Sequence, residues 1–193
     1  MPTSTPQLVQ DPADWRGGQW SSADAFSVDM PPAALAELEL ACLHLEGQGL
    51  AYEHTDRNHF PFDTLGRVLE DVHTELREGR GFVLLRGLPF ARWSAERCRL
   101  AAWGIGTWLG NHVSQTVQGQ RLVDVADTSG TDASPRQFKT SQELRLHTDP
   151  ASDLIALACL KPAKAGGDSV LTSAIAVHNA MHASRPDLLA VLY

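Results

Sequence analysis

A histidine placed two residues before a carboxylate recurs through this 193-residue chain. His44/Glu46, His54/Asp56, His73/Glu75 and His147/Asp149 all show it. Eight histidines and 23 acidic residues would give about one such triplet by chance. An imidazole nitrogen and a carboxylate oxygen converging on one point form the donor set of a divalent transition metal. Spacing decides which pairs can converge. On a helix, positions i and i+2 point about 200° apart, so His44/Glu46 and His73/Glu75, which sit in helical patterns, read as solvated faces. On a strand, i and i+2 share a face at roughly 6.6 Å along the chain. In Glu143-Leu144-Arg145-Leu146-His147-Thr148-Asp149, alternation puts Leu144, Leu146 and Thr148 on one face and Glu143, Arg145, His147 and Asp149 on the other. That polar face is either an exposed edge or the wall of a polar site. His54-Thr55-Asp56-Arg57-Asn58-His59 is the rival, with a third donor but only a polar connector to hold it.

The elements that must position these groups follow from apolar spacing. Residues 1–30, rich in Pro, Gly, Ser and Asp, read as an irregular arm anchored by Trp15 and Trp20. Pro31 and Pro32 open a helix with Leu35, Leu38, Ala41, Cys42 and Leu45 at three- and four-residue spacing, and Gly47 and Gly49 stop it. A second helix is expected over Thr64–Glu78, capped by Asp63 and ended by Gly79. Gly81–Gly87 reads as a buried strand, and Ser94 to about Leu109 as a third helix with Trp93, Trp103 and Trp108 in the core. Strands are expected at Arg121–Ala126, Glu143–Asp149, Leu154–Leu160 and Ser169–Ser173, and a helical stretch from Ala174 to Tyr193 broken at Pro186. Helices early and short strands late make an α+β protein with an antiparallel sheet core. Asn111, His112, Ser114, Gln115 and Thr116 read as a solvated loop.

Composition narrows the classes. A net charge of −7 repels phosphate backbones and anionic membranes, which excludes nucleic acid and membrane surfaces as partners. Cys42, Cys98 and Cys159 are far apart and odd in number, which fits a reducing compartment. Met1 to Trp15 has no basic region and no apolar run. The longest stretch without Asp, Glu, Lys or Arg, Leu100–Gln120, holds too many polar residues to span a bilayer. The protein is expected to be soluble and cytoplasmic. The chain stops inside the apolar run Ala190–Tyr193, and we expect it to be the N-terminal part of a longer protein.

His147-Thr148-Asp149, the apolar run Leu154–Leu160, and Lys161-Pro162-Ala163-Lys164-Ala165-Gly166-Gly167-Asp168-Ser169 together resemble the TauD/TfdA family of Fe(II)- and 2-oxoglutarate-dependent dioxygenases. The likeness continues through Ser173-Ala174, Val177–Ala180 and Pro186–Leu189, and Gly81–Pro89 is similar to the family's early core strand. The resemblance implies a double-stranded β-helix (jelly-roll) core, incomplete over residues 31–193, with the N-terminal helices packed against it. It implies His147 and Asp149 as ligands of Fe(II), and a Ser169 hydroxyl on the distal carboxylate of the cosubstrate 2-oxoglutarate. The activity implied is O2-dependent hydroxylation of an unactivated C–H bond in a small molecule, releasing succinate and CO2. Read from the residues alone, Gly166-Gly167-Asp168 is rather a hairpin turn that leads Ser169 into a strand, and the resemblance reverses that reading.

The family's second histidine ligand and its carboxylate-binding arginine have no counterpart here. His178 and His182 are four apart on a helical pattern and read as packing or surface residues, and Arg185 as a loop residue. The chain alone is therefore expected to be inactive. Glu143 and Arg145 either support the metal pair or pair with each other. Two rival readings stand beside the oxygenase: a catalytically inactive β-helix binding or scaffold protein, and a hydrolase using His147/Asp149 with another metal. Homo-oligomerisation stays open.

Overall fold

The apolar spacing builds three long helices, α1 (Pro32–Gly47), α2 (Thr64–Glu78) and α3 (Ala95–Leu109). The computed structural model describes residues 6–131, 137–149 and 152–193. In it Leu38, Cys42 and Leu45 of α1, Leu65 and Leu69 of α2, and Cys98, Ala101 and Trp103 of α3 close over the fully buried Phe60 in one core cluster. The Trp103 indole donates to the Thr55 carbonyl (3.1 Å) and the Trp108 indole to the Phe60 carbonyl (3.0 Å), so the connector before α2 is tied to α3 at two points. Gly104 is what admits Phe60: a Cβ there would lie 2.6 Å from the phenyl ring.

The start of α2 departs from the expected cap. Asp63 makes no side-chain cap bond and pairs instead with Arg67. The capping group comes from α1. The Glu37 carboxylate accepts from the backbone N–H groups of Asp63 (3.0 Å), Thr64 (2.8 Å) and Leu65 (3.0 Å). These amides would otherwise be unpaired at the positive end of the helix dipole. Burial acts to raise the Glu37 pKa, but the N–H groups of Leu65, Thr64 and Asp63 outweigh it and hold the carboxyl below its ordinary value. One side chain thus fixes both the start of α2 and its angle to α1. Ser94 caps α3 as its type suggests, accepting from the Arg97 N–H at 3.2 Å.

Residues 1–30, read as an irregular arm, contain a 3-10 turn (Ala23–Phe26) and a strand, β1 (Ser27–Asp29). β1 pairs in parallel with β2 (Leu84–Arg86), in register Ser27–Leu84, Val28–Leu85 and Asp29–Arg86. The segment expected as a buried strand is thus a short edge pair, with Leu84 42% exposed. Arg86 clamps it through Asp24 (2.7 Å) and Asp29 (3.0 Å). Trp15, Trp20, Phe26 and Phe82 form an aromatic cluster with ring centroids 5.1–6.0 Å apart, and the Trp15 indole donates to the Arg80 carbonyl.

Residues 110–173 differ most from expectation. Among the described residues, Arg121–Ala126, Glu143–Asp149, Leu154–Leu160 and Ser169–Ser173 form no strand, and no jelly-roll sheet is present. Alternation dictates which side chains share a face, but a strand exists only through a hydrogen-bonded neighbour, and no described segment pairs with these four. The stretch is held from outside: Leu122 and Leu160 pack on the helical core, and Asp124 pairs with Arg99 at 2.6 Å. After it come α4 (Ala174–Ser184) and α5 (Pro186–Leu189), divided at Pro186. Asn179 of α4, 5% exposed, accepts from the Val9 N–H (2.9 Å) and donates to the Val9 carbonyl (2.8 Å) and to Asp14 (2.9 Å). The N-terminal arm is thereby docked on α4.

Two substitutions test this frame. Gly104→Ala would normally stabilise a helix interior by about 1 kcal/mol. Here the ring of a buried Phe60 blocks the methyl, so a net loss of about 1–2 kcal/mol is expected in urea unfolding. Glu37→Ala is expected to cost about 1–2 kcal/mol at neutral pH. Because the folded carboxyl titrates below its ordinary 4.5, that contribution is complete above pH 4.5 and lost as pH falls through the lower folded value. The gap between wild type and variant should accordingly close in acid.

Candidate metal centre

His147 and Asp149 lie in irregular chain, yet their side chains meet. The His147 Nδ1–H donates to the Arg145 carbonyl at 2.8 Å. A carbonyl can only accept, so Nδ1 carries a proton, and the neutral form of the ring has its lone pair on Nε2. Nε2 lies 3.8 Å from Asp149 Oδ1, with the two side chains 49% and 52% exposed. First-row divalent ions hold nitrogen and oxygen at about 2.0–2.2 Å, so two donors of one ion can be up to about 4.3 Å apart. A histidine whose other ring nitrogen is tied to a backbone carbonyl is also the usual arrangement of a metal-bound imidazole. The pair suits Fe(II) by donor type, while its 3.8 Å separation is wider than the roughly 3 Å between adjacent ligands of an octahedral ion. Among the described residues no group of three or more His, Cys, Asp or Glu side chains could hold a metal.

The other triplets are consumed by structure. Glu46 pairs with Arg97 (2.6 Å) and Glu75 with Arg80 (2.5 Å), while His44 faces Gln48 at 2.9 Å. In the rival segment, Asp56 caps a 3-10 turn (Arg57–His59). It accepts from the Asn58 N–H at 2.9 Å and lies 2.8 Å from His59 Nδ1. The hydrogen bond from His59, the largest influence, holds the Asp56 carboxyl below the usual range. Of the four triplets, all among the described residues, only His147/Asp149 has its two members face to face; in the rival segment Asp56 faces His59 instead of His54.

Ser169 is exposed, directly after Gly166 (φ 66°) and Gly167 (φ 76°) and Asp168. Both glycines take the left-handed conformation, but the chain bends just before them, at Lys164 and Ala165, and no strand follows. Glu143 and Arg145 are exposed, and the part Arg145 plays is its carbonyl on His147. His178 lies against Asn179 and edge-on to Tyr193, which makes it a packing residue.

His112 is a residue that sequence reasoning missed. Instead of lying in solvent, it stacks flat on Trp103, with centroids 3.7 Å apart and planes at 1°. Gly106 leaves room for it, since a Cβ there would come 2.5 Å from His112 Nε2. Burial, with Arg121 adding to it, pushes the His112 pKa down, so the ring is neutral at pH 7. Nothing in the local pattern distinguishes His112 from its polar neighbours. The available signal was the small residue one and a half turns earlier on α3.

With fold and pair described, comparison with known proteins defines the class. The sequence model of the family "Taurine catabolism dioxygenase TauD, TfdA family" matches residues 47–193, and the chain belongs to that family. The family implies a jelly-roll fold and an oxidoreductase of the dioxygenase class, generally dependent on Fe(II) and 2-oxoglutarate. Among individual relatives, FR-33289 synthase of Streptomyces rubellomurinus is 28% identical over 182 residues, covering 93% of this chain and 53% of that protein. Taurine hydroxylase-like protein SAT17 of Stachybotrys chartarum is 27% identical over 194 aligned residues, covering 95% of this chain and 50% of that protein. The chain thus spans about half the length of these relatives. No helix among the described residues is long and apolar enough to cross a membrane.

If Asp56 is a cap, Asp56→Ala should lower the thermal midpoint, followed by circular dichroism. Asp56→Asn, which keeps an acceptor for the Asn58 N–H, should lose less.

Proposed function

We propose that the protein is an Fe(II)- and 2-oxoglutarate-dependent oxygenase that hydroxylates an unactivated C–H bond of a small molecule. The observation that carries this reading is the facing pair of His147 Nε2 and Asp149 Oδ1, 3.8 Å apart, inside the stretch matched by the family. His147 and Asp149 would hold the iron. When bound, iron with 2-oxoglutarate and O2 supplies the oxidative chemistry, with one oxygen atom entering the substrate and the other entering succinate as CO2 leaves. The Arg145 carbonyl keeps the proton on Nδ1 and so keeps the Nε2 lone pair available. The Ser169 hydroxyl, presented after the Gly166-Gly167 pair, would donate to the distal carboxylate of 2-oxoglutarate. The name of the Stachybotrys relative, taurine hydroxylase-like, supports hydroxylation as the outcome.

One imidazole and one carboxylate, both half-exposed, make a weak metal site. The 193-residue chain alone is expected to bind Fe(II) loosely and to form no succinate. The proposed setting is the cytoplasm, where Cys42, Cys98 and Cys159 stay as free thiols.

The test is iron retention by the chain after anaerobic loading with Fe(II). His147→Ala and Asp149→Ala should each lower retained iron about tenfold or more, the scale seen when one partner of a metal site is lost. Asp56→Ala and His59→Ala should leave it unchanged. Undiminished iron in both His147→Ala and Asp149→Ala would refute the site. Loss in the Asp56 and His59 variants would move it to the connector before α2.

A further inference from the structure

The segment that carries His147 and Asp149 has little to hold it. Every residue from Ser141 to Asp149 is exposed, and none belongs to a helix or strand. A stretch with no buried side chain ordinarily samples many conformations, because ordering each backbone unit costs conformational entropy. Two side chains on it keep one separation only if the chain around them is tied down. Among the described residues, one hydrogen bond reaches into Glu143–Asp149 from outside. The Gln137 side-chain amide donates from Nε2 to the Glu143 carbonyl at 2.8 Å.

Gln137 is itself well anchored. It opens a 3-10 turn (Gln137–Lys139), and its own carbonyl accepts from the Thr140 N–H (3.1 Å) and the Thr140 hydroxyl (2.8 Å). Phe138, Lys139 and Thr140 are half-buried. The Lys139 carbonyl accepts from the Thr128 N–H at 2.9 Å, and just upstream Asp124 takes two hydrogen bonds from the Arg99 guanidinium of α3 (2.6 and 3.2 Å). The ties thus run from α3 through Asp124 and Thr128 to the turn, and from the turn through one amide to the exposed segment. A carbonyl only accepts, so Nε2 and not Oε1 of Gln137 must face Glu143. Further along, the His147 Nδ1–H bond to the Arg145 carbonyl spans two residues and survives only while the backbone between them keeps its shape.

We infer that Gln137 is a positioning residue, on the reading of the pair as an iron site: its amide, acting through the Glu143 carbonyl, holds the chain so that His147 and Asp149 face each other. It acts on the backbone ahead of the pair and is not a ligand.

Two variants separate the donor from the bulk of the side chain: Gln137→Met keeps the length without a donor, and Gln137→Lys keeps a donor. NMR relaxation on the metal-free 193-residue chain should show the amides of 143–149 more mobile in Gln137→Met than in wild type. The His147 ring should also lose its preference for the Nδ1–H tautomer, read from its ring nitrogen shifts. Gln137→Lys should stay close to wild type in both. The thermal midpoint should not move, since Gln137 is exposed and outside the core. After anaerobic loading with Fe(II), Gln137→Met should bind iron about two- to tenfold more weakly, the worth of one hydrogen bond, and Gln137→Lys should recover most of that loss. Amides and tautomer unchanged in Gln137→Met would overturn the proposal. So would equal release in the Met and Lys variants, or iron kept in full by Gln137→Met but lost by His147→Ala. Released amides in Gln137→Met together with undiminished iron in His147→Ala would sink the iron reading and leave the tether standing, because the relaxation measurement needs no metal.

Discussion

The packing of Phe60 against the Gly104 backbone is the contact on which the rest of the molecule depends. A helix-interior glycine carries an intrinsic cost of about 1 kcal/mol relative to alanine, and here that cost is offset by the burial of an entire phenyl side chain. The contact brings the connector before α2 against α3, and the indoles of Trp103 and Trp108 fix it by hydrogen bonds to Thr55 and Phe60. Glu37 then sets the angle between α1 and α2. Polar bonds here specify the geometry, and buried apolar surface supplies most of the free energy.

From this frame the irregular half of the chain is held by discrete ties. His112 lies on Trp103 where the chain leaves α3, Asp124 returns to Arg99, and Leu122 and Leu160 dip into the core. Asn179 joins α4 to the N-terminal arm, which is itself pinned by the aromatic cluster around Phe82. Chain ends and middle are thus tied to one body, although residues 110–173 contribute no sheet of their own among the described residues.

What could be read in advance follows a physical division. Helices were legible because their hydrogen bonds are local and their apolar period shows directly: Thr64–Glu78 is observed as expected, as is the division at Pro186. Ser94 caps α3 from the position next to the helix, where residue type alone would suggest it. At Asp63 the inference failed because Glu37, 26 residues away, reaches the same amides. Strands need a partner that alternation does not name, so β1 was missed in a Gly- and Ser-rich arm and the four later strands were expected where none forms. Of the candidate site, the choice among four triplets rested on a strand that does not form, although His147 and Asp149 still face each other. The Arg145 carbonyl on His147 was not legible, because backbone acceptors carry no sequence signal.

That carbonyl bears on the chemistry more than the spacing does. Asp149 faces His147 at 3.8 Å whichever nitrogen holds the proton, yet the two tautomers have opposite consequences. With the proton on Nε2, the ring would donate toward Asp149, close the gap with a hydrogen bond and present no lone pair to a cation. With the proton held on Nδ1 by a group that can only accept, two lone pairs are aimed across the same gap. Water fills such a gap at little cost when the donors are half-exposed, and one carboxylate offsets only half the charge of a divalent ion. Under the proposed reading, the pair would receive a cation without holding it tightly. Tight retention would come only from further ligands and from a drier setting, the two things a closed jelly-roll mouth provides.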